Sequence, residues 1–120
     1  MSFGNVRSIV ARRVWDGITA RAVHGQRLTL ALVELEPGAI VEEHSHDHEQ
    51  LGMVLRGWLR FRVGDEERQL GEGETSEIPS NMRHRAEARP DGATVIDIFS
   101  PPRAEWEQAE EGEPGAGRWP

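Results

Sequence analysis

Apolar and polar residues alternate through the middle of the chain, and this pattern predicts β-strands. In the segment 27–36, leucines recur at every second position and the segment ends at a Pro-Gly turn. A second alternating segment, 51–63, is interrupted by Gly57, and we interpret it as two strands joined there. The segment 93–99 is rich in β-branched and apolar residues, which favours a further buried strand.

Turn signals separate these segments about every ten residues, a spacing typical of all-β sandwiches and barrels. Gly and Pro supply 13 and 7 of the 120 residues, above the roughly 12% of ordinary proteins. No segment before residue 103 has a helical period, whereas residues 104–111 fit a short acidic helix. We therefore predict a small antiparallel β-barrel with a mouth that could hold a ligand.

Length and charge narrow the choice of function. A chain of 120 residues is the size of one domain, and we predict one barrel over 1–106 followed by an acidic, Gly- and Pro-containing tail over 107–120. The net charge of −7 argues against a nucleic-acid partner. The chain has no cysteine, so disulfides and thiolate chemistry are excluded. No apolar run suits a signal peptide or a membrane span, so we expect a cytoplasmic protein without a membrane partner.

Three of the five histidines lie within 44–50, and clustered imidazoles are typical metal ligands. His44 and His46 are two residues apart and therefore share one face of a strand. A straight strand would carry Gln50 about 20 Å from His44, so one ion can be shared only if the chain turns between them. We expect that turn near residues 47–49, which makes Gln50 a better third ligand than His48.

The spacing around this cluster resembles the first motif of the cupin family, G-x5-H-x-H-x3,4-E-x6-G. The matching residues are Gly38, His44, His46, Gln50 and Gly57, with Gln standing where Glu is usual. That replacement removes one negative charge from the ligand set. A divalent ion in such a site would keep its full charge, which favours Lewis-acid chemistry on an anionic oxygen.

The second cupin motif, G-x5-P-x-G-x2-H-x3-N, is matched by Gly73, Pro79 and His84, while Asn81 replaces its Gly and Ala88 its Asn. The resemblance implies an antiparallel jelly-roll barrel, the cupin double-stranded β-helix, with one divalent metal ion inside. That ion could be Ni, Zn, Fe, Mn or Co. The ligands that the resemblance implies are His44, His46, Gln50 and His84.

The segment 97–103, D-I-F-S-P-P-R, resembles one group in particular, the KdgF-like cupins of pectin and alginate breakdown. That family converts 4,5-unsaturated monouronates to linear keto forms. The resemblance implies that Asp97 and Arg103 are catalytic, and that Phe99 and Arg103 bind a small acidic sugar. Asp97 would move a proton, and Arg103 would hold a carboxylate through its planar fork.

Other side chains are assigned from pattern alone. Arg60 alternates with Leu59 and Phe61, and it is a candidate for the barrel mouth beside an acidic substrate. His24 lies in a turn context and is expected to be exposed to solvent. Glu42 or the adjacent glutamate is a candidate hydrogen-bond partner for His44.

Several readings of function and assembly stay open. The same histidines could serve an Fe(II)-dependent oxygenase, another keto-acid isomerase, or a cupin that binds a small molecule without turnover. Turnover without oxygen would count against the oxygenase. We expect a homodimer, with Trp15, Trp58 and Trp106 as candidate apolar contacts.

Overall fold

The structure, a computed structural model, describes residues 2–113 and consists almost entirely of antiparallel β-strands. Short 3-10 helices span Val6–Ser8 and Ala104–Gln108. The strands are β1 Arg12–Trp15, β2 Ile18–His24, β3 Thr29–Leu35, β4 Ile40–His44, β5 Glu49–Val63, β6 Glu66–Leu70, β7 Thr75–Ile78 and β8 His84–Ser100. The predicted all-β antiparallel fold is confirmed. Within the described residues, no helix has the length and apolar character needed to cross a membrane.

Two long strands, β5 and β8, organise the barrel because each contributes to two sheets. Residues 49–57 of β5 pair with residues 93–100 of β8. β7 pairs with this part of β5 and β3 with this part of β8, and β2 and β1 extend the sheet beyond β3. Residues 58–63 of β5 pair with residues 84–89 of β8. β6 pairs with this part of β5, and β4 pairs with this part of β8. Residues from both groups of strands form the core and line the cavity that holds the candidate site.

The predicted break at Gly57 is wrong, because β5 runs through it. Gly57 has a φ of 77°, and the register shifts between Gly57 and Trp58 at a bulge. A Cβ at this position would overlap the carbonyl oxygen of Gly92 on β8. Glycine therefore bends the strand without ending it.

Leu28, Leu30 and Leu32 share a face as predicted, and that face is the outer one, although Leu32 is buried there. Leu28 and Leu30 are largely exposed, whereas Thr29, Ala31 and Val33 face the interior. The core is built by buried residues from both sheets, including Ile18, Leu35, Val54, Leu59, Val95, Phe99 and Trp106.

The chain after the predicted domain boundary is partly docked on the barrel. Trp106 is buried in the core and therefore cannot serve a subunit interface in this conformation. The amide of Arg13 donates to the carbonyl of Glu110 at 2.7 Å, and the amide of Gly112 donates to that of Ala11 at 3.0 Å. Residues 114–120 of the predicted tail lie outside the described residues, and the homodimer stays a prediction.

Candidate metal centre and adjoining cavity

Three histidines from separate segments converge at one end of the cavity. His44 ends β4 and pairs in register with His84, which begins β8, while His46 follows in the turn. One ligand nitrogen from each lies within 4.8 Å of the other two. The turn before His84 is tied to this site, because the amide of Asn81 donates to the carbonyl of His46 at 2.8 Å. Asn81 has a φ of 65°, which explains why glycine is usual at this motif position.

Each of these imidazoles is oriented by a backbone carbonyl. The Nδ1 atoms lie 2.9–3.0 Å from the carbonyl oxygens of Glu42, His48 and Met82, respectively. A carbonyl can only accept, so Nδ1 carries the proton and the Nε2 lone pair is free for a metal. The expected glutamate side-chain partner of His44 is therefore replaced by the Glu42 backbone, and Glu43 instead pairs with Arg83.

The surroundings keep two of these imidazoles neutral, as metal ligation requires. Burial lowers the pKa of His84 to about 4, with smaller contributions from the neighbouring histidines and Arg103. Burial also lowers the pKa of His46, helped by the positive charge of Arg103. Three imidazoles with convergent ring nitrogens fit a divalent cation.

Gln50 lies beside this three-histidine group. Its Oε1 lies 3.1 Å from Nε2 of His46, and its side chain is also hydrogen-bonded to the Asp97 carboxyl. An ionised carboxyl can only accept, so the amide nitrogen faces Asp97 and the oxygen faces His46. Two lone pairs then face each other, an arrangement that a shared cation stabilises. His48 lies outside the three-histidine group, with its ring edge-on to that of His46 at 5.3 Å.

Asp97 lies beside Gln50 in the cavity lining. Burial raises the pKa of Asp97 to about 7, although the hydrogen bond from Gln50 and the charge of Arg103 act in the opposite direction. Space for the carboxyl comes from Gly52, the register partner of Asp97 on β5. A Cβ on Gly52 would lie 2.7 Å from Oδ1 of Asp97 and 2.9 Å from Oγ of Ser76.

Arg103 reaches the same cavity from the segment after β8. Its guanidinium lies over two aromatic rings that contact each other edge to face, 5.0 Å from the centroid of Phe99 and 4.7 Å from that of Trp106. Its Nε donates to Glu105 at 3.1 Å. Burial lowers the pKa of Arg103, and Glu105 opposes that change. Cation–π stacking and one hydrogen bond thus hold the guanidinium plane.

The structure brings together every predicted site residue except Arg60. Phe99 is 1% exposed and lines the cavity. Arg60 is exposed on the outside of β5, because its neighbours Leu59 and Phe61 take the inward positions. The assignment of Arg60 to the barrel mouth is therefore wrong.

The rest of the cavity wall is largely apolar. It includes Trp15, whose ring lies 5.1 Å from that of His44, and side chains of Val33, Val41, Met53 and Leu70. Sequence reasoning did not place Trp15, Gly52 or Ser76 at the site. A single glycine inside a strand pattern is the one signal that could have pointed to Gly52.

His24 differs from expectation as well, since only 15% of its side chain is exposed. Its Nδ1 lies 2.8 Å from the hydroxyl of Thr29, and its Nε2 lies 3.6 Å from the carboxylate of Glu107. His24 was expected to lie in an exposed turn, but it is the last residue of β2 and pairs in register with Thr29.

Comparison with known proteins agrees with this geometry. A family model described as a cupin domain matches residues 31–99. The chain belongs to the cupin family. It is 31% identical over 93 residues to the pectin degradation protein KdgF of Dickeya dadantii strain 3937, which covers 76% of this chain and 84% of that protein.

Solved cupin structures superpose on most of the barrel. The structure of KdgF from a Halomonas species has a TM-score of 0.81 at 30% identity, covering 88% of this chain and 97% of that one. An oxalate decarboxylase of Bacillus subtilis with Mn(II) centres has a TM-score of 0.71 at 25% identity. That match covers 84% of this chain and 30% of the longer one.

Proposed function

We propose that this cupin is a metal-dependent enzyme of pectin breakdown that converts 4,5-unsaturated monouronates to linear keto-deoxyuronates. The observation that carries the proposal is one cavity that joins a three-histidine group to a carboxyl, Asp97, and a guanidinium, Arg103. The likeness to two proteins named KdgF, one of them described as a pectin degradation protein, supports this substrate class.

The substrate has a C4=C5 bond beside its carboxylate. Ring opening breaks the bond between C1 and the ring oxygen while the C1 hydroxyl loses its proton and becomes the C1 aldehyde. The former ring oxygen takes up a proton and becomes the hydroxyl of an enol on C5. Ketonisation then breaks the enol O–H bond, adds a proton to C4 and makes the C5 oxygen a carbonyl. No oxidant or reductant is needed.

Two side chains supply binding and proton transfer in this scheme. Arg103 holds the substrate carboxylate, because its guanidinium is already positioned by contacts with Phe99 and Trp106. Asp97 accepts the enol proton and returns it to C4. A pKa of about 7 suits both halves of that transfer. A divalent ion bound by the histidines and Gln50 would supply Lewis-acid stabilisation of the anionic oxygen.

The direct test is the fall in ultraviolet absorbance as the C4=C5 bond disappears. Metal-loaded protein should exceed the spontaneous rate on unsaturated monouronates from pectin, from alginate or from both. Fully loaded protein that never exceeds the spontaneous rate on either source would contradict the proposal. Oxygen consumption during turnover would instead favour the hypothesis that the protein is an oxygenase.

Replacing Arg103 with Lys should raise KM for the monouronate by roughly tenfold or more, the order of one lost charge-assisted hydrogen bond. Lysine keeps the charge but cannot form the planar fork. The matched control is Arg60→Lys, the same change on the outside of β5. Equal KM values for the two variants would remove Arg103 from substrate binding.

Gly52→Ala should lower kcat by about 100-fold, the cost of a misplacement near 1 Å. The new methyl group would push the Asp97 carboxyl away from its present position. Metal content, measured in parallel, should be unchanged. Gly71→Ala is the control, because its nearest neighbour would be 3.7 Å from the new Cβ. Wild-type kcat in Gly52→Ala would show that the position of this carboxyl is not constrained.

A further inference from the structure

Four residues that pair in register lie side by side on β2, β3, β8 and β5, next to the candidate site. His24 on β2 pairs with Thr29 on β3, Thr29 pairs with Phe99 on β8, and Phe99 pairs with Gln50 on β5. Thr29 is fully buried, so its hydroxyl must find partners inside the protein. This row of four residues therefore connects His24, which the proposed mechanism does not use, to residues of the cavity.

The Thr29 hydroxyl makes two hydrogen bonds. It accepts the backbone N–H of Arg103 at 2.8 Å, and it lies 2.8 Å from Nδ1 of His24. A hydroxyl can accept one bond and donate its own proton in another. The Thr29 hydroxyl can therefore hydrogen-bond to the Arg103 amide and to Nδ1 of His24 together, while Nε2 of the same imidazole faces Glu107 at 3.6 Å.

His24 is thereby connected to the chain on both sides of the Arg103 side chain. One connection runs through Thr29 to the Arg103 amide. The other reaches Glu107 in the 3-10 helix Ala104–Gln108, which begins at the next residue. The same helix carries Glu105 and Trp106, the two contacts of the guanidinium outside the sheet. A shift of this short segment would move all of these groups together.

We propose that His24 is a positioning residue for Arg103. With Thr29 and Glu107 it fixes the backbone from which the guanidinium reaches into the cavity, and so sets where an acidic ligand's carboxylate is held. The identity of that ligand rests on the proposed function, whereas the positioning itself does not.

The first experiment measures the backbone directly, by amide hydrogen exchange of Arg103 in the full chain. Thr29→Val removes the hydroxyl at nearly constant shape, and the Arg103 amide should then exchange about tenfold faster. Thr29→Ser keeps the hydroxyl and should exchange as the wild type does. Equal exchange in the Val and Ser variants would overturn the proposal.

The second experiment measures the consequence for binding, with the saturated sugar acid galacturonate as a non-reacting probe in calorimetry. His24→Phe fills the space but loses both polar contacts, and Kd should rise roughly tenfold at unchanged metal content. His24→Asn places an amide oxygen where Nδ1 was, so it should restore most of the affinity. Val23→Ala, at the exposed neighbouring position on β2, is the control.

Coupling distinguishes positioning from general stability. In an Arg103→Lys background, His24→Phe should have little further effect on Kd, because the group that it positions is already altered. A full tenfold loss in that background would overturn the proposal. Wild-type protein that neither binds galacturonate nor turns over the monouronate would contradict the proposed function. Exchange of the Arg103 amide in His24→Phe would then decide the role of His24, because positioning requires faster exchange than in the wild type and wild-type exchange would overturn it.

Discussion

His46→Ala should lose the bound metal and fall to the spontaneous rate of monouronate conversion. His46 contacts both other imidazoles and lies 3.1 Å from Gln50, so its removal takes one ligand nitrogen from the group. The loss of affinity should exceed the 10- to 100-fold that follows removal of a residue hydrogen-bonded to a ligand. Metal analysis of protein purified without an affinity tag measures the first effect, and ultraviolet absorbance measures the second.

His48→Ala is the matched control for that substitution. It removes an imidazole two residues away that lies outside the three-histidine group. The carbonyl that orients His46 belongs to the backbone of residue 48, and alanine retains it. Metal lost from His48→Ala but retained by His46→Ala would show that the ion is held elsewhere.

The proximity of most candidate metal ligands could be predicted from sequence because local geometry determines it. Residues two apart on a strand share a face, which brings His44 and His46 together, and a tight turn returns Gln50 to them. His84 is remote in sequence, and only its place in the second cupin motif related it to the others. The structure adds the physical reason, since β4 and β8 pair at His44 and His84.

The sequence pattern did not predict β1 or the first half of β8, and both carry charged residues. β1 begins Arg-Arg, and the first half of β8 alternates buried Ala86 and Ala88 with charged residues. Small buried side chains beside long charged ones give a weak hydrophobic pattern. On β3 the alternation predicted a shared face but not which face is inside, and the interior positions hold Thr29 and Ala31.

Contacts between segments that are distant in sequence explain the remaining differences between the predicted and the observed site. Alternation limits Arg60 to one face of β5, but which face is inside depends on packing against β8 and β6. The stacking of Trp106 on Arg103 and the link from His24 to Glu107 join residues that no local pattern relates. The segment 97–103 could be singled out by resemblance, whereas its hydrogen-bond network required coordinates.

Asp97→Asn should lower kcat by about 10²- to 10⁴-fold, the usual contribution of a general acid–base group. The amide has nearly the same shape and can still accept the hydrogen bond from Gln50, but it cannot take up and return a proton. Metal content and the Kd for galacturonate should therefore stay close to those of the wild type. Absorbance kinetics, metal analysis and calorimetry on the same preparation measure the three quantities.

Asp65→Asn is the control for loss of one negative charge, because that carboxylate is exposed at the surface. Its kcat should equal that of the wild type. Whether Asp97→Asn changes kcat or KM decides the role of Asp97. A rise in KM alone would make Asp97 a substrate-binding group, because proton transfer belongs to the chemical step. Near wild-type kcat and KM would remove Asp97 from the mechanism, and the proton would then have to be carried by another group in the cavity.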